Sequence, residues 1–400
     1  MNTILHENLI EKEHQYLMQT YARPDFVLVR GEGMTLYDAE NRPYADWVAG
    51  IAVNALGYND AGVRQAISSG LESGIIHLSN LYHNEPMIRL AETLVSLSFA
   101  DRVFFANTGT EANEGAIKFA RRAAYNAGKT AKTGLVTFSH AFHGRTMGSL
   151  SLTPKEKYQQ PFKPLLPDVT VAEYNDIESA RAAINANTCA VIVEPIQGEG
   201  GIHMATPAFL AELRRLCDEH QAVLIFDEIQ CGVGRTGDLW AHTASGVTPD
   251  IMTIAKPLAA GLPIGAILVK QWIADQISAG DHGTTFGGGP LVTGVARHVI
   301  ERVSQPGFLA HVREVGQYLQ ERLAEINSPL IAEVRGRGLM VGVEMRVEVA
   351  PIVKKGYEHG LLLVNAGTHV IRLVPPLIAQ KADVDHLVET LTTILEEIDG

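Results

Sequence analysis

Two uninterrupted apolar runs constrain this chain more than anything else in it: Val191-Ile192-Val193 and Val223-Leu224-Ile225-Phe226, with a helical pattern over Pro207–Glu219 between them. A strand with one face in water alternates apolar and polar side chains. These runs do not alternate, so both faces must be covered, as in the interior of a mainly parallel sheet. Arg102–Ala106, Leu135–Phe138, Val169–Ala172, Ile251–Ala255 and Ile264–Val269 read as further strands. Thr110–Asn126 reads as a helix with Ala112, Ala116, Phe119, Ala120 and Ala123 along one face. Strands alternating with helices predict a layered α/β domain.

The two ends follow a different pattern. Val27–Trp47 places Gly, Asn and Asp turn signals between short strands. Beyond about residue 330, strands at Leu339–Met345, Leu361–Val364 and Ile371–Val374 mix with helices up to Ile398, and Phe308–Ile326 is a long helical pattern able to join the regions. The expected division is 1–54 as the N-terminal part of a smaller α+β domain, 55–290 as a large domain, and 291–400 as a linking helix with the C-terminal part of the smaller domain. No 20–50-residue repeat and no low-complexity segment interrupts it.

Charge narrows the partners. With 33 Lys and Arg against 45 Asp and Glu, the formal net charge is -12, the wrong sign for nucleic acid or an anionic membrane as the main partner. At 46% hydrophobic and 20% charged, the composition is that of an ordinary globular protein. Cys189, Cys217 and Cys231 are too scattered for a disulfide framework or a zinc ribbon. There is no secretory pattern at the start and no apolar run long enough to span a bilayer. The expectation is a cytoplasmic protein.

Ligands of an open parallel sheet bind beyond the carboxyl ends of its strands, so the polar residues just after each strand matter most. Asn107-Thr108-Gly109-Thr110-Glu111-Ala112 turns into a helix, where free N–H groups and the helix dipole can seat an anion. A plain helix start capped by Thr108 or Thr110 accounts for the same residues. Asp227 follows four buried positions, where a carboxylate needs a cation or a hydrogen bond; a structural ion pair meets that need equally well. Lys256 ends a buried strand, where desolvation lowers an amine's pKa and makes it a nucleophile; an amine simply reaching solvent is the alternative. Gly232-Val233-Gly234-Arg235-Thr236-Gly237 fits G-x-G-x-x-G but neither follows directly on a strand nor opens a helix, which argues against a dinucleotide. His140 and His143 have metal-ligand spacing without a supporting Cys or carboxylate cluster, so no metal is expected. There is no P-loop and no G-x-S-x-G elbow.

Taken together and in order, the segments from Gly31 to Pro376 resemble the class III aminotransferases, fold-type I enzymes that use pyridoxal 5′-phosphate (PLP). The resemblance rests on Asn107-Thr108-Gly109-Thr110-Glu111-Ala112-Asn113, Phe142-His143-Gly144-Arg145-Thr146, Glu194-Pro195-Ile196-Gln197-Gly198-Glu199-Gly200-Gly201 and Asp227-Glu228-Ile229-Gln230. It extends through Gly234-Arg235-Thr236-Gly237, Pro249-Asp250-Ile251, Ala255-Lys256 and Gly283-Thr284-Thr285-Phe286-Gly287-Gly288. Gly50-Ile51-Ala52-Val53-Asn54-Ala55-Leu56-Gly57 looks most like the acetylornithine aminotransferase branch. The resemblance implies a large domain with a mainly parallel seven-stranded sheet.

It also implies roles. Lys256 would hold PLP as a Schiff base and carry the proton between substrate and cofactor carbons. Asp227 would pair with the ring nitrogen, Gln230 would reach the ring hydroxyl, and Phe142 would stack on the ring. Gly109 and Thr110 would hold the phosphate, joined by Thr285 from a neighbouring subunit, which implies a homodimer. Arg145 would take the α-carboxylate of an ornithine-type substrate and Arg372 that of glutamate or 2-oxoglutarate. Glu199 would pair with Arg372 while the other substrate is bound, and Thr284 and Tyr21 would line the substrate pocket. The implied reaction moves the distal amino group of acetylornithine to 2-oxoglutarate, giving the semialdehyde and glutamate in arginine biosynthesis.

Three positions depart from the family pattern: Tyr58-Asn59-Asp60-Ala61 replaces a His-rich, Pro-ending turn, Gly289 stands where Asn is common, and Thr108 where Ser is commoner. None removes a cofactor group, but the first bears on the amine donor. Succinylornithine, ornithine, 4-aminobutyrate and lysine are therefore alternative donors. An aminomutase, a non-catalytic PLP or amino-acid binding module, and a nucleotide-binding dehydrogenase resting on Gly232–Gly237 are the readings outside this reaction. Cys231 is expected to be a small packed residue.

Overall fold

A computed structural model of the chain describes residues 2–399. Its centre is a seven-stranded sheet in the order Arg102–Ala106, Gly265–Val269, Ile251–Ile254, Val223–Asp227, Thr188–Val193, Gly134–Phe138, Val169–Ala172. Only Gly265–Val269 runs against its neighbours; the other four pairs of the sheet are parallel, as at Ile225 with Ile251 and with Ile192. This is the mainly parallel α/β sheet expected.

The apolar runs are explained by what covers them. Val223 and Ile225 pack into a cluster with Ala112, Ala116 and Phe119 of the helix Gly109–Asn126. Leu224 and Phe226 point the other way, into a cluster with Phe209, Leu210 and Leu213 of the helix Pro207–His220. Successive side chains of one strand thus enter two cores, which is why the polar half of the alternation is missing. Truncating one of them, as in Ile225→Ala, removes about 2–5 kcal/mol by lost transfer and cavity terms.

The two ends of the chain build smaller sheets. Leu28–Glu32, Thr35–Asp38 and Pro43–Asp46 form an antiparallel meander that Leu361–Leu362 joins in parallel, Leu361 opposite Ala45. Ile331–Arg337, Met340–Met345, Val370–Leu373 and Val364–Asn365 form a second, antiparallel sheet. The strand expected over Leu361–Val364 is therefore split between two sheets. The long helical pattern is the helix Pro306–Ala324, preceded by Pro290–Val303. Gly232–Gly237 runs through turns to a five-residue 3-10 turn at Ala241–Ser245, not into a crossover helix. Arg235 within it is fully buried and donates to the carbonyls of Leu339 and Pro375, tying this loop to the second small sheet.

Candidate active site

The carboxyl ends of the central strands open into a cavity of about 390 Å³, walled by Gly109, Thr110, Phe142, Arg145, Glu194, Asp227, Gln230 and Lys256 among others. Gly109 and Lys256, 147 positions apart in the sequence, meet here because each comes just after a strand of one sheet.

At one end is the start of the helix Gly109–Asn126. Thr108 caps it, its Oγ1 accepting from the N–H of Glu111 at 3.2 Å. The cap leaves the N–H groups of Gly109 and Thr110 without a partner among the described residues, so capping and anion seating coexist. Thr110 Oγ1 lies 2.8 Å from Thr146 Oγ1. Gly144, at φ 135°, lies so close that any side chain there would strike Thr110.

Asp227 is fixed rather than free. Its Oδ2 accepts from Asn113 Nδ2 at 2.8 Å and from the Nδ1–H of His143 at 2.7 Å, and its Oδ1 from the N–H of Ile229 at 3.0 Å. Asn113 is held in turn, donating to the His143 carbonyl at 2.7 Å and accepting from Thr253 Oγ1 at 2.8 Å. His143, which has metal-like spacing in the sequence, is thus an Asp227 partner. Asn113 and Thr253 escape sequence reasoning as site residues. A signal for Asn113 was present, since it stands one position from the apolar stripe of its helix, and a polar group there needs a buried partner.

Lys256 follows the strand Ile251–Ile254 and is half-buried on the cavity wall. Its amine has no hydrogen bond or ion pair among the described residues. Burial lowers its pKa from 10.5 to about 8, against the pull of Glu199, Glu194 and Asp227, so about a tenth of the amine is neutral at about pH 7, far more than an ordinary lysine offers. Glu194, also outside the sequence-based set, is buried and accepts from the N–H groups of Phe142 at 3.3 Å and Gly198 at 3.4 Å. Burial first, then the nearby Asp227, pushes its carboxyl well above the usual range.

Behind Gln230 a buried arginine pairs with a half-buried glutamate. Arg372 Nη1 donates to Glu199 Oε1 at 2.5 Å and to Gln230 Oε1 at 3.0 Å. Burial would raise the Glu199 carboxyl, but Arg372 and Lys256 outweigh it and the net shift is downward. Arg372 Nε has no partner among the described residues. Arg145 is different: exposed at the rim, its guanidinium lies 3.5 Å from the Tyr158 ring centroid and 5.7 Å from that of Phe142.

Thr284 and Thr285 part company. Thr284 Oγ1 accepts from Asn107 Nδ2 at 2.9 Å, beside the helix start, whereas Thr285 is exposed and off the cavity wall. Tyr21 is 72% exposed and lines a separate cavity with the N-terminal helix, so this chain does not bring it to Lys256. Cys231 is a buried thiol packed with Ala52, Ile202 and Val374, and burial raises its pKa well above the usual thiol range.

An unpaired amine, a fixed carboxylate and an anion-ready helix start share one cavity at the carboxyl edge of an open α/β sheet. Those groups suit a small anionic ligand within reach of an amine. The site and fold thus have the form of a lysine-dependent cofactor enzyme. The chain belongs to the aminotransferases: the family model described as Aminotransferase class-III matches residues 17–395. It is 49% identical to the mitochondrial acetylornithine aminotransferase of Alnus glutinosa over 98% of this chain and 88% of that protein. It is 44% identical to the succinylornithine transaminase of Yersinia enterocolitica, over 96% and 95%. The solved N-acetylornithine aminotransferase of Stenotrophomonas maltophilia superposes with a TM-score of 0.84 at 35% identity, covering 98% of this chain and 99% of that one.

Proposed function

We propose that the chain is a PLP-dependent transaminase that moves the distal amino group of acetylornithine to 2-oxoglutarate, yielding the acetylated semialdehyde and glutamate. The observation that carries this reading is the placement of Lys256 and Asp227 on one cavity wall with the Arg372–Glu199 pair behind Gln230. The names of the acetylornithine relatives support the donor; those of the succinylornithine relatives keep the succinyl derivative as a second donor.

The residues fit the cofactor. Gly109 and Thr110 offer N–H groups and a hydroxyl to its phosphate, Phe142 a ring to stack on, Gln230 an amide for its hydroxyl, and Lys256 an amine for its aldehyde. When bound, PLP supplies the electron sink that stabilises negative charge at the substrate carbon. Asp227 keeps the ring nitrogen protonated, and His143 and Asn113 hold Asp227 so that no reorganisation is needed as charge develops. With PLP bound, the Lys256 amine would serve as the base and acid that carries the proton between the substrate carbon and the cofactor carbon on the other side of the shared nitrogen.

Two acids must use one site. Arg145 at the rim takes the α-carboxylate of the acylated ornithine, which then presents only its distal amine to Lys256. Glu199 meanwhile neutralises Arg372, which would otherwise be a costly buried cation. When glutamate or 2-oxoglutarate arrives, its α-carboxylate replaces Glu199 on Arg372.

The reading includes a homodimer in which Thr285 serves the site of a second copy. Leu81 at 87% and Phe286 at 65% exposure, with Ile76 and Tyr82, leave an apolar surface around the segment that Asn80 ties to Thr284 and Gly287, and surfaces of that kind favour association. It keeps the division at 1–54, 55–290 and 291–400, and a cytoplasmic setting, which three buried free thiols suit. Among the described residues no helix is long and apolar enough to cross a membrane.

The test is the visible spectrum of the purified protein. Glutamate should bleach the cofactor band and 2-oxoglutarate restore it, with acetylornithine bleaching at lower concentration than ornithine or 4-aminobutyrate. A protein that gains no band with added PLP refutes the reading.

A further inference from the structure

Arg145 is not the only cation against the Tyr158 ring. The Lys155 ammonium lies 5.4 Å from the same centroid, on the half-buried side chain next to the rim. Two cations placed 3.5 and 5.4 Å from one centroid are within about 9 Å of each other. Arg145 and Lys155 each lack a carboxylate partner among the described residues. The Lys155 ammonium also acts on the cavity side, since it helps hold the Glu199 carboxyl down.

The backbone fixes this arrangement. Thr153 Oγ1 accepts from the N–H of His143 at 2.9 Å and lies 3.3 Å from the Gly144 carbonyl, welding the turn before Lys155 to the loop that carries Arg145. Gln159 Nε2 closes the turn onto the carbonyls of Leu150 and Thr153 at 2.9 and 3.0 Å. The Tyr158 N–H donates to the Lys155 carbonyl at 2.8 Å, which holds the backbone of the ring and of the second cation in one turn.

We propose that Arg145, Tyr158 and Lys155 form a two-cation rim that selects N-acyl ornithines whose acyl chain itself ends in a carboxylate. The α-carboxylate would sit on Arg145 and the acyl carboxylate on Lys155. Six bonds separate the two carboxyl carbons of an N2-succinyl amino acid, roughly 7 Å when extended, the reach of two extended backbone units. Because the cations lie at most about 9 Å apart, a flexible span of that length with a contact at each end can reach from one to the other. An acetyl group places nothing on Lys155, so the second cation separates the donors by charge rather than by shape. This inference rests on the acylornithine reading, and it gives the succinyl derivative, the second donor within it, a contact that the acetyl derivative lacks.

The test uses holoenzyme and two inert analogues, N2-succinylnorvaline and N2-acetylnorvaline, which lack the reacting amine. Calorimetric titration should give the succinyl compound about tenfold tighter binding, one charge-assisted contact at a part-exposed site. The preference should vanish in Lys155→Gln, survive in Lys155→Arg, and shrink with added salt. The ratio of kcat/KM for succinylornithine over acetylornithine should follow the same order. Equal affinity for the two analogues in the wild type, or a preference untouched by Lys155→Gln, overturns the two-cation rim. Analogue discrimination as expected with turnover of neither acylornithine would leave the rim standing and fault the donor reading alone.

Discussion

Two carboxylates in this molecule face buried or half-buried nitrogen groups, and they are held in opposite ways. Asp227 is locked on both oxygens by three donors, and its partner Asn113 is locked in turn. Glu199 has one partner, Arg372, and its side chain is still a quarter exposed. The first arrangement is preorganised and cannot be rearranged without leaving buried groups unpaired. The second can be released by rotating one side chain toward solvent. A transaminase needs both kinds: a fixed group for the chemistry that its two half-reactions share, and a releasable one where its two substrates differ.

The largest effect should come from the fixed side. Lys256→Ala is expected to lower turnover by at least about a thousandfold in both directions, as removal of a covalent catalyst does; unchanged steady-state turnover would remove the lysine from the account. Asp227→Asn should cost about a hundredfold or more, again in both half-reactions, because a preorganised charge is lost. Stopped-flow absorbance of each half-reaction measures this, and a loss confined to one would break the comparison.

Smaller effects sharpen it. Asn113→Ala leaves Asp227 and the His143 carbonyl short of a donor and should lower stability by about 1–3 kcal/mol, seen as a drop in Tm. If Tm holds while Asp227-dependent rates also hold, the lock is not needed. The mildest test is pH. The Lys256 amine is charged below about 8 and neutral above it, so the rate at which cofactor-free protein takes up PLP should rise with pH and level off past about 8. A rate still climbing at pH 10 would mean an amine with its ordinary pKa.

The central sheet was legible because burial on two faces forces a visible pattern: Arg102–Ala106 and Val169–Ala172 have the ends that the sequence suggested, and Val223–Asp227 extends its apolar run by one residue. The direction of Gly265–Val269 was not, since an apolar run reads the same whether it lies parallel or antiparallel. Nor could Leu361–Val364 reveal that its two halves pair with different sheets, because Leu361 pairs with Ala45, far off in the chain, while Val364 pairs with nearby Arg372. Lys256 and Asp227 could be nominated because each stands at the end of a buried apolar run, and Gln230 through the family resemblance alone. The Asn113–Asp227 bond joins residues 114 positions apart, and no local pattern encodes such a contact. Tyr21 shows the limit of resemblance, which assigns a pocket position to a residue that this chain, taken alone, keeps away from Lys256.

The most direct measurement of the contrast between fixed and releasable carboxylates is Glu199→Gln with the two half-reactions followed separately. Without the Glu199 charge, Arg372 is an unpaired buried cation whenever an acylated ornithine is bound, yet glutamate still brings its own carboxylate. The expected result is a drop of about ten- to a hundredfold in kcat/KM for the acylornithine half-reaction, the size of losing a charge-assisted partner, with the glutamate half-reaction nearly unchanged. An equal loss in both would contradict the account, since Glu199 would then be part of the fixed machinery and not a gate between substrates.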